Sequence, residues 1–489
     1  MALDPRTPVL VGAGVAHQQL DDPLDAQPAL ELIALAVERA GIDAGAPQLL
    51  TAVGEVLVPR GTWRDADPGR VIAERVGAPR ARSLIAEIGV LQQTLFTRAC
   101  TAIRDGRHDA ALVCGGEARF RDLRARILGV DLPPGVVDGA PDEVLSPAAD
   151  ILPRPEIDAG LISAPLQYSM IETSLRAARG ETVAGNAHAT AALWSGFSEV
   201  AVTNPDAWRR DLVSVEALER PSARNPMLAA PYTKWHCSQW NVDQAAALLL
   251  CSAETAVRFG VPRDRWVFPL AAAESNHMVP VSRRGALNAS PAVRAVGEQL
   301  CASSGIEPAA VDHLDLYSCF PAAVRVQAAE LGIGTDRPLT VTGGMTFGGG
   351  PLNNAVLQAT AKLVETLRAD PESTGLVTSI SGMITKHGAS LWSTRPPERP
   401  FVASDVSDEA ARRTEVLDLA VDYKGPATVA GYTVAHERGE PVSAHVVATT
   451  PDGRRVAARN DDADLAAAMA TEEWVGRDVR VDGTTFSGT

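Results

Sequence analysis

Residues 342–356 read T-G-G-M-T-F-G-G-G-P-L-N-N-A-V, a glycine-dense turn that passes straight into a helical pattern. The apolar residues of that pattern, such as Val356, Leu363 and Leu367, recur on one helix face. A turn of this kind (the glycine turn, residues 343–350) aims free backbone N–H groups at whatever lies above the start of the helix. The same glycines also suit a tight, buried connection between packed elements. The stretch alone leaves both interpretations open.

The composition of the chain indicates a large, acidic protein with more than one domain. The chain has 489 residues, of which 46% are hydrophobic and 21% are charged, as in proteins with substantial buried cores. The formal net charge of −15 opposes general binding to nucleic acid or to an anionic membrane. An anionic ligand would therefore need a local cluster of arginines.

The sequence shows no signal for a membrane or for export. Its first residues, M-A-L-D-P-R, lack a basic segment followed by an apolar one, and no run approaches the roughly 18 apolar residues of a membrane span. The six cysteines form no C-x-x-C pair, which predicts buried reduced thiols and no zinc site. We expect a cytoplasmic protein without a bound metal.

The order of apolar and amphipathic segments predicts an α/β fold with an internal duplication. Apolar strands alternate with helices, a pattern typical of a largely parallel sheet covered on both faces. One such helix is predicted from Pro28 to Ala40, with Gly41 as its stop. The alternation runs through the chain twice, and a long polar insertion interrupts the first pass. The predicted domains are residues 1–118 and 226–263 for the first half, 119–225 for an inserted loop domain, 264–395 for the second half and 400–489 for a C-terminal domain.

The C-terminal residues predict a small, mostly β domain after a proline-rich linker. Three strands are predicted, and the turn T-P-D-G joins the last two as a hairpin. An OB-like barrel is compatible with this pattern, and such barrels often bind nucleic acid. Here Asp461, Asp462 and Asp464 oppose phosphate binding, so no nucleic-acid partner is expected.

The inserted domain contains two groups of arginines. The first group is Arg119, Arg121, Arg124 and Arg126, and the second lies between residues 209 and 224. Because the guanidinium fork matches phosphate geometry, these side chains could hold a nucleotide-bearing ligand. Ordinary solvated surface is the alternative interpretation.

Four segments resemble motifs of the thiolase superfamily. They are residues 102–117 (A-I-R-D-G through G-G-E), 241–247 (N-V-D-Q-A-A-A, with Gln244 in place of a glycine), 316–320 (L-Y-S-C-F) and 343–351. The likeness is strongest to the sterol-carrier-protein-type branch and to its acetyl-CoA acetyltransferase-like relatives with an extra C-terminal domain. It implies a duplicated thiolase fold, with two mixed, mainly parallel sheets in a layered α-β-α-β-α arrangement, and an inserted domain that holds coenzyme A.

The resemblance also locates the catalytic positions of a thiolase, and this chain has replaced each of them. The nucleophilic cysteine corresponds to Gly89, and the histidine that activates it corresponds to Gly350. The residue that places a water for the thioester oxyanion corresponds to Tyr317, and the second, proton-transferring cysteine to Ile380. Because glycine has no side chain to act as nucleophile or base, we expect no thiolase turnover.

Three functions therefore remain open from the sequence. The first is binding of coenzyme A or acyl-CoA in acyl or lipid metabolism, with no tightly bound cofactor. The second is a coenzyme A-thioester retro-aldolase, because thiolase-fold aldolases resemble this chain in lacking the cysteine and in having a tyrosine at the position of Tyr317. Those aldolases work with a small OB-type partner, which residues 400–489 would supply in cis, although Ser318 departs from their aspartate. The third is a non-catalytic scaffold.

The expected contacts of a coenzyme A ligand follow from the same resemblance. Its phosphates would lie near Arg119–Arg126, and its thioester end against Gly348, Gly349 and Gly350. Lys386 and His387 are further candidates for the cleft, since they follow the loop of the second cysteine. The resemblance also implies a homodimer, or a monomer if the C-terminal domain covers the dimer face.

Overall fold

A computed structural model describes residues 3–133 and 138–488. The chain begins with the strands and helices of the first half. In chain order they are β1 (Pro8–Gln18), α1 (Ala29–Asp43), β2 (Val53–Pro59), α2 (Pro68–Arg75), β3 (Arg82–Ala86), α3 (Gln92–Arg104), β4 (Ala110–Ala118), α4 (Arg119–Leu128) and β5 (Glu143–Leu145). The helix predicted to stop at Gly41 continues to Asp43, and the chain leaves it through Ala44 and Gly45, whose φ is +66°.

The inserted domain is helical and ends in a short hairpin. Its elements are α5 (Arg154–Asp158), α6 (Ala164–Ala178), α7 (Val183–Thr203), α8 (Val215–Glu219), β6 (Met227–Ala230) and β7 (Tyr232–Thr233). The chain then returns to the first half as β8 (Asp243–Ser252) and α9 (Ala253–Arg258).

The first sheet has the strand order β1-β8-β4-β2-β3-β5. The strand β8 is antiparallel to both of its neighbours, and the pairings from β4 outward to β5 are parallel. The sheet is therefore mixed where alternation predicted a largely parallel one, because β8 enters from the inserted domain and not through a helical crossover.

The second half repeats this plan around its own mixed sheet. Its elements are β9 (Phe268–Ser275), α10 (Pro291–Ser304), β10 (His313–Asp315), α11 (Pro321–Glu330), α12 (Gly344–Phe347), α13 (Ala355–Ala369), β11 (Thr374–Ser381), β12 (Lys386–Ser393) and β13 (Val402–Asp405). The strand order is β10-β11-β12-β9-β13. Because β13 pairs with β9, the residues just after the predicted boundary at 400 still belong to the sheet of the second half.

The two halves meet across a layer of two buried helices. Apolar side chains of α3 and α13 pack together with residues from the facing surfaces of both sheets, and Phe96 meets Trp392 edge-on at 6.4 Å between ring centroids. Helix α1 covers the outer face of the first sheet, and α10 and α11 cover that of the second. The layers therefore run α-β-α-β-α, as the resemblance implied.

The C-terminal domain is a barrel that closes on itself. Its elements are α14 (Ser407–Arg413), β14 (Lys424–Glu437), β15 (Glu440–Thr449), β16 (Arg455–Asn460), α15 (Ala463–Thr471), β17 (Asp478–Asp482) and β18 (Thr485–Gly488). The pairing β15-β16-β18-β17-β14 is closed by β14 against β15. The helix α15 lies between the third and fourth strands, which agrees with the OB-like expectation.

The barrel is joined to the body by hydrogen-bonded strands. Ala229 and Ala230 of β6 pair with Ala435 and Val434 of β14, so the sheet of the barrel continues into the inserted domain. Within the described part of the chain all six cysteines are free, and Cys301 is the one that is partly exposed. No helix in that part is long and apolar enough to cross a membrane.

Candidate functional site

The glycine turn is held by hydrogen bonds to Asp315, the last residue of the short strand β10. Its buried carboxylate accepts hydrogen bonds from the backbone N–H groups of Val341 and Thr342 at 3.0 and 3.1 Å. The hydroxyl of Thr340 accepts from the N–H groups of Gly343 and Gly344, both at 3.0 Å. These bonds fix the turn, so its glycines are held close to their neighbours.

Gly350, which the resemblance assigns to the thiolase base, is closely surrounded by other groups. A Cβ placed on Gly350 would overlap the hydroxyl oxygen of Ser238, and one on Gly349, whose φ is +109°, would overlap the side chain of Gln244. Gln244 is 1% exposed and donates to the carbonyl of Gly348 at 2.9 Å. The glutamine that replaces the glycine of the family motif therefore occupies space against the turn.

The segment that follows α7 lies across the same turn. The N–H groups of Trp208 and Arg209 donate to the carbonyls of Gly348 and Phe347 at 3.0 and 2.8 Å. Asn204 adds a side-chain bond to the carbonyl of Thr342 at 3.0 Å. The inserted domain and the glycine turn are therefore joined by direct hydrogen bonds.

The position of the thiolase nucleophile lies just before α3. Gly89 has a φ of +105°, and a Cβ placed there would lie 3.2 Å from Pro147. Its carbonyl accepts from the Ser381 hydroxyl at 3.1 Å and from the Lys386 ammonium. The residue therefore presents an oxygen acceptor, already bonded to a cation, where a thiolase presents a thiol.

A buried carboxylate lies close to this lysine. Glu274 accepts from the hydroxyl of Thr94 at 3.0 Å and from the amide of Asn276 at 3.3 Å. Burial raises the pKa of Glu274 to about 7. Burial also lowers the pKa of Lys386, and the charge of Glu274 partly offsets that effect. The two groups therefore interact through their charges beside the start of α3, without an ion pair between them among the described residues.

Tyr317 lines a small, partly open cavity between the glycine turn and the start of α13. Gly348, Gly349, Asp315 and Lys362 line the same cavity. In the described part of the chain the phenol hydroxyl has no hydrogen-bonding partner. Burial, and to a smaller extent Cys319, raise the pKa of Tyr317 above its ordinary value. The tyrosine is thus a neutral donor at this cavity.

Ile380 and His387 are direct partners across β11 and β12. His387 is fully buried, neither of its ring nitrogens has a hydrogen-bonding partner, and burial lowers its pKa to about 3. It does not line the Tyr317 cavity. Of the two adjacent cleft candidates, the structure therefore brings Lys386 to the catalytic position, while His387 lies on the opposite face of its strand.

The structure does not bring the four arginines of α4 into one cluster. Arg119 stacks over Trp240 at 3.8 Å, and Arg121 is 8% exposed and donates to the carbonyl of Ala26 at 3.0 Å. Arg124 donates to the carbonyl of Asp21 at 3.0 Å, and Arg126 is exposed. Their spacing places them around the helix and not on one face, so three of them bind neighbouring parts of the protein.

Cationic and aromatic side chains instead line a groove near the glycine turn. This cationic groove, about 840 Å³, contains Trp208, Arg209, Arg210, Lys234 and Trp235. Arg209 stacks over Trp235 at 4.3 Å and is paired with Asp211, whereas the Arg210 and Lys234 side chains are exposed and form no ion pair within the described residues. The groove and the Tyr317 cavity are separated by the turn residues around Met345 and Thr346.

Several of these residues escaped the sequence prediction. Glu274 follows the apolar run L-A-A-A, and a carboxylate that ends a buried strand is a signal that could have been noted. Ser238 gave no signal, because the overlap with Gly350 depends on two segments about a hundred residues apart. The groove had a partial signal in the tryptophan and arginine neighbours at 208–210 and 234–235.

The two repeated halves and the inserted domain define a thiolase fold. Residues 405–484 match the additional C-terminal domain of thiolase-like protein type 1. The chain therefore combines a thiolase fold with a domain of this family, and the resemblance predicted from its motifs is confirmed.

The most similar solved structures agree with this assignment. A monomeric SCP2-thiolase like protein type 1 from Mycobacterium smegmatis is 28% identical, with a TM-score of 0.85, and the match covers 99% of this chain and 100% of that chain. The Ltp2-ChsH2(DUF35) aldolase is 20% identical over 80% of this chain and 99% of its own, with a TM-score of 0.59. The dimeric peroxisomal thiolase of Saccharomyces cerevisiae is 15% identical over 80% and 98%, with a TM-score of 0.53. The last two show the fold alone.

A curated relative matches a shorter part of the chain. The acetyl-CoA acetyltransferase of Methanocaldococcus jannaschii is 30% identical over 105 residues, which are 22% of this chain and 26% of that protein. This chain therefore spans about a quarter of the length of that relative.

Proposed function

We propose that this protein binds coenzyme A or an acyl-CoA thioester without carrying out thiolase turnover. The observation that carries the proposal is the pair of former catalytic positions. Gly89 has a backbone conformation that disfavours any side chain, and the space beside Gly350 is occupied by Ser238. A nucleophile and its base are both missing, so thiolysis has no chemical route through these positions.

The binding part of the proposal is supported by the groove and the cavity on the two sides of the glycine turn. Coenzyme A carries phosphates and an aromatic base at one end and a thioester at the other. Arg210 and Lys234 provide exposed positive charge, and Trp208 and Trp235 provide aromatic surface, which suits the nucleotide end. The Tyr317 cavity lies on the other side of the glycine turn from the groove. Its polar lining groups suit the thioester carbonyl at the acyl end.

The experiment is calorimetry with coenzyme A at low and raised salt, with Lys234→Gln as the test variant. We expect the affinity to fall with salt and by about fivefold in the variant, because one exposed charge pair is lost. Arg220→Gln is the matched control: this exposed arginine also lies in the inserted domain, is paired with Glu216 and does not line the groove. Absence of binding at millimolar coenzyme A would favour the scaffold instead.

A retro-aldolase is the second candidate, and one observation favours it. Tyr317 lines the same cavity as Gly348 and Gly349, where a thioester carbonyl would be bound. Against it, no cation among the described residues contacts the Tyr317 hydroxyl, and burial raises its pKa, so the phenol is poorly suited to act as a base. If the wild type releases an aldehyde or ketone from β-hydroxyacyl-CoA esters and Tyr317→Phe does not, this candidate replaces the first.

We also propose that the protein is a monomer. The strand β3 of the first sheet is already paired with β5, and β9 of the second sheet with β13. The edges of the two sheets are therefore formed by β5 and β13, which have only three and four residues, and such short edge strands offer little backbone for pairing with a second copy. Size-exclusion chromatography with light scattering should give the mass of one chain, and a stable dimer would contradict this expectation.

A further inference from the structure

A second cavity lies where the second half of the body meets the linker to the barrel. This junction cavity is about 530 Å³ and shares no lining residue with the Tyr317 cavity or the cationic groove. Its apolar wall consists of Val279, Ala286, Ala289, Pro291 and Ala292, and its polar lining includes His277, Arg284, Arg413 and Glu415.

Arg284 is a buried cation without a counter-ion at this cavity. The residue is 2% exposed, and its Nε and Nη2 atoms donate to the carbonyls of Val279 and Gly382 at 3.1 and 2.9 Å. Its Nη1 atom has no acceptor, and no carboxylate of the described residues lies within ion-pair distance. A buried guanidinium without a counter-ion destabilises the folded protein. For the same reason, burial lowers the pKa of Arg284 to about 10.

The acidic groups nearby form no ion pair with Arg284 within the described residues. The charge of the buried Glu156 acts on Arg284 from a distance, but Glu156 accepts from the N–H of Ser282 at 2.7 Å and from the amide of Gln167 at 3.1 Å, and burial raises its pKa. Glu415 is exposed at the rim. Arg413, also at the rim, is paired with Glu298 at 2.7 Å and with Glu409 at 2.5 Å.

The barrel adds a further buried cation to the junction. Arg455 is 4% exposed and donates to the carbonyls of Arg284 and Gly285 at 3.0 and 2.6 Å. In the described chain it has no ion pair, although the charge of Glu415 acts on it from a distance. The guanidinium groups of Arg284 and Arg455 therefore both lie next to the backbone of residues 284–285. His277 contributes a buried Nε2 atom without a partner at the cavity itself.

We propose that the junction cavity binds a small organic carboxylate with a hydrocarbon body. Its carboxylate supplies the counter-ion that Arg284 lacks, and its alkyl part packs on the alanine and proline wall. Inorganic phosphate offers the charge without the hydrocarbon, so the apolar wall favours the organic acid. A molecule bound here contacts both the body and the linker at residues 413–415, and therefore holds the barrel in place.

The test uses the full chain with hexanoate as the probe, followed by calorimetry and by thermal unfolding. We expect hexanoate at millimolar concentration to release heat and to raise Tm, because it binds the folded state only. Hexanamide has the same shape without the charge, and inorganic phosphate has charge without the hydrocarbon. A response to hexanamide equal to that of hexanoate, or a response to phosphate alone, would overturn the proposal.

Two variants separate binding in the cavity from binding elsewhere. Ala289→Phe should lower hexanoate affinity by about tenfold or more, since it fills the cavity from a partly exposed position that tolerates a larger side chain. Arg284→Met should abolish binding where it folds. Arg412→Gln is the matched control: this neighbouring arginine is paired with Glu409 and does not line the cavity. Undiminished affinity in Ala289→Phe, or no hexanoate binding to the wild type, would refute the assignment, and coenzyme A binding should be unchanged throughout.

Discussion

Gly89 before α3 and Gly350 in the glycine turn, the two positions that the motif resemblance assigns to a thiolase nucleophile and its base, disfavour a side chain in different ways. At Gly89 the backbone itself is unfavourable for a side chain, because its φ is +105°. At Gly350 the backbone is ordinary, and the space for a side chain is filled by Ser238. The first position is restricted by conformation and the second by packing.

This difference determines what each position needs in order to accept a side chain. A position restricted by packing needs a smaller neighbouring side chain, whereas a position restricted by conformation needs a different backbone conformation. Gly349, next to Gly350, combines both restrictions, since its φ is +109° and Gln244 lies against it. Substitutions at these three glycines, and at the buried charges beside Gly89, therefore test the comparison directly.

The largest effect is expected for Gly349→Ala. Strain at a positive φ and overlap with Gln244 should together lower the free energy of unfolding by about 2–5 kcal/mol. Urea denaturation measures this loss, and Gln244→Ala in the same chain should restore the part that comes from overlap. Gly439→Ala is the matched control, because Gly439 has a φ of +92° with open space around it and so reports strain alone. Equal losses at the two glycines would show that packing contributes nothing.

A pH-dependent effect is expected next, from Glu274. Its pKa is about 7 in the folded protein against an ordinary value of 4.5, so the folded state holds this proton more tightly than the unfolded state. The stability contributed by the proton is complete below pH 4.5 and is lost as the pH rises through 7, a change on the order of 1–3 kcal/mol. Glu274→Gln does not titrate, so its stability relative to the wild type should rise over this window. A constant difference from pH 4.5 to 8 would mean that Glu274 is not buried in this way.

Gly89→Cys should lower the free energy of unfolding by less than Gly349→Ala does, and it should produce no thiolase activity. Strain at φ +105° and the contact with Pro147 should lower the free energy of unfolding by about 1–3 kcal/mol. Thiolysis of acetoacetyl-CoA should stay at background, since the base is also missing and Lys386 occupies the neighbouring acceptor. Turnover near the ordinary enzyme range of about 1 per second would contradict this reading of the site.

The smallest effect is expected for Gly350→Ala. The overlapping atom is the hydroxyl of Ser238, which can rotate away, and Met345, at 3.2–3.3 Å, needs to move by only a few tenths of an ångström. We expect a loss of about 1 kcal/mol by urea denaturation, which Ser238→Ala should largely remove. If the double variant is as unstable as the single one, the restriction at Gly350 is not one of packing.

The fold could be predicted from the sequence because its signals are local. Helix α13, for example, is marked by its apolar spacing and by the glycine turn before it, and the hairpin of β15 and β16 by T-P-D-G. The position and direction of β8 between β1 and β4 have no local sequence signal. The mixed character of the first sheet was therefore predicted only from the motif resemblance.

The features of the candidate site that depend on one residue could be predicted from the sequence. The features that depend on contacts between distant segments could not. The absence of a nucleophile and a base at Gly89 and Gly350 is a prediction that the sequence makes by itself, because a single residue decides each position. Arg119–Arg126 suggested a cluster because the residues are close in sequence, but a helix turns them in different directions. The overlap of Gln244 with Gly349, and the contact of Lys386 with Gly89, depend on distant segments that no spacing reveals.

The strand pairing between β6 and β14 also has a consequence for how the protein is made. At about 5–20 residues per second, the roughly 200 residues between Ala230 and Val434 take about 10–40 s to synthesise. During that time β6 has an unpaired edge, and Thr173 of α6 lacks the backbone partner that it finds in Tyr432. A chain truncated before residue 424 would therefore contain an inserted domain without its β14 pairing partner, even if both halves of the body fold.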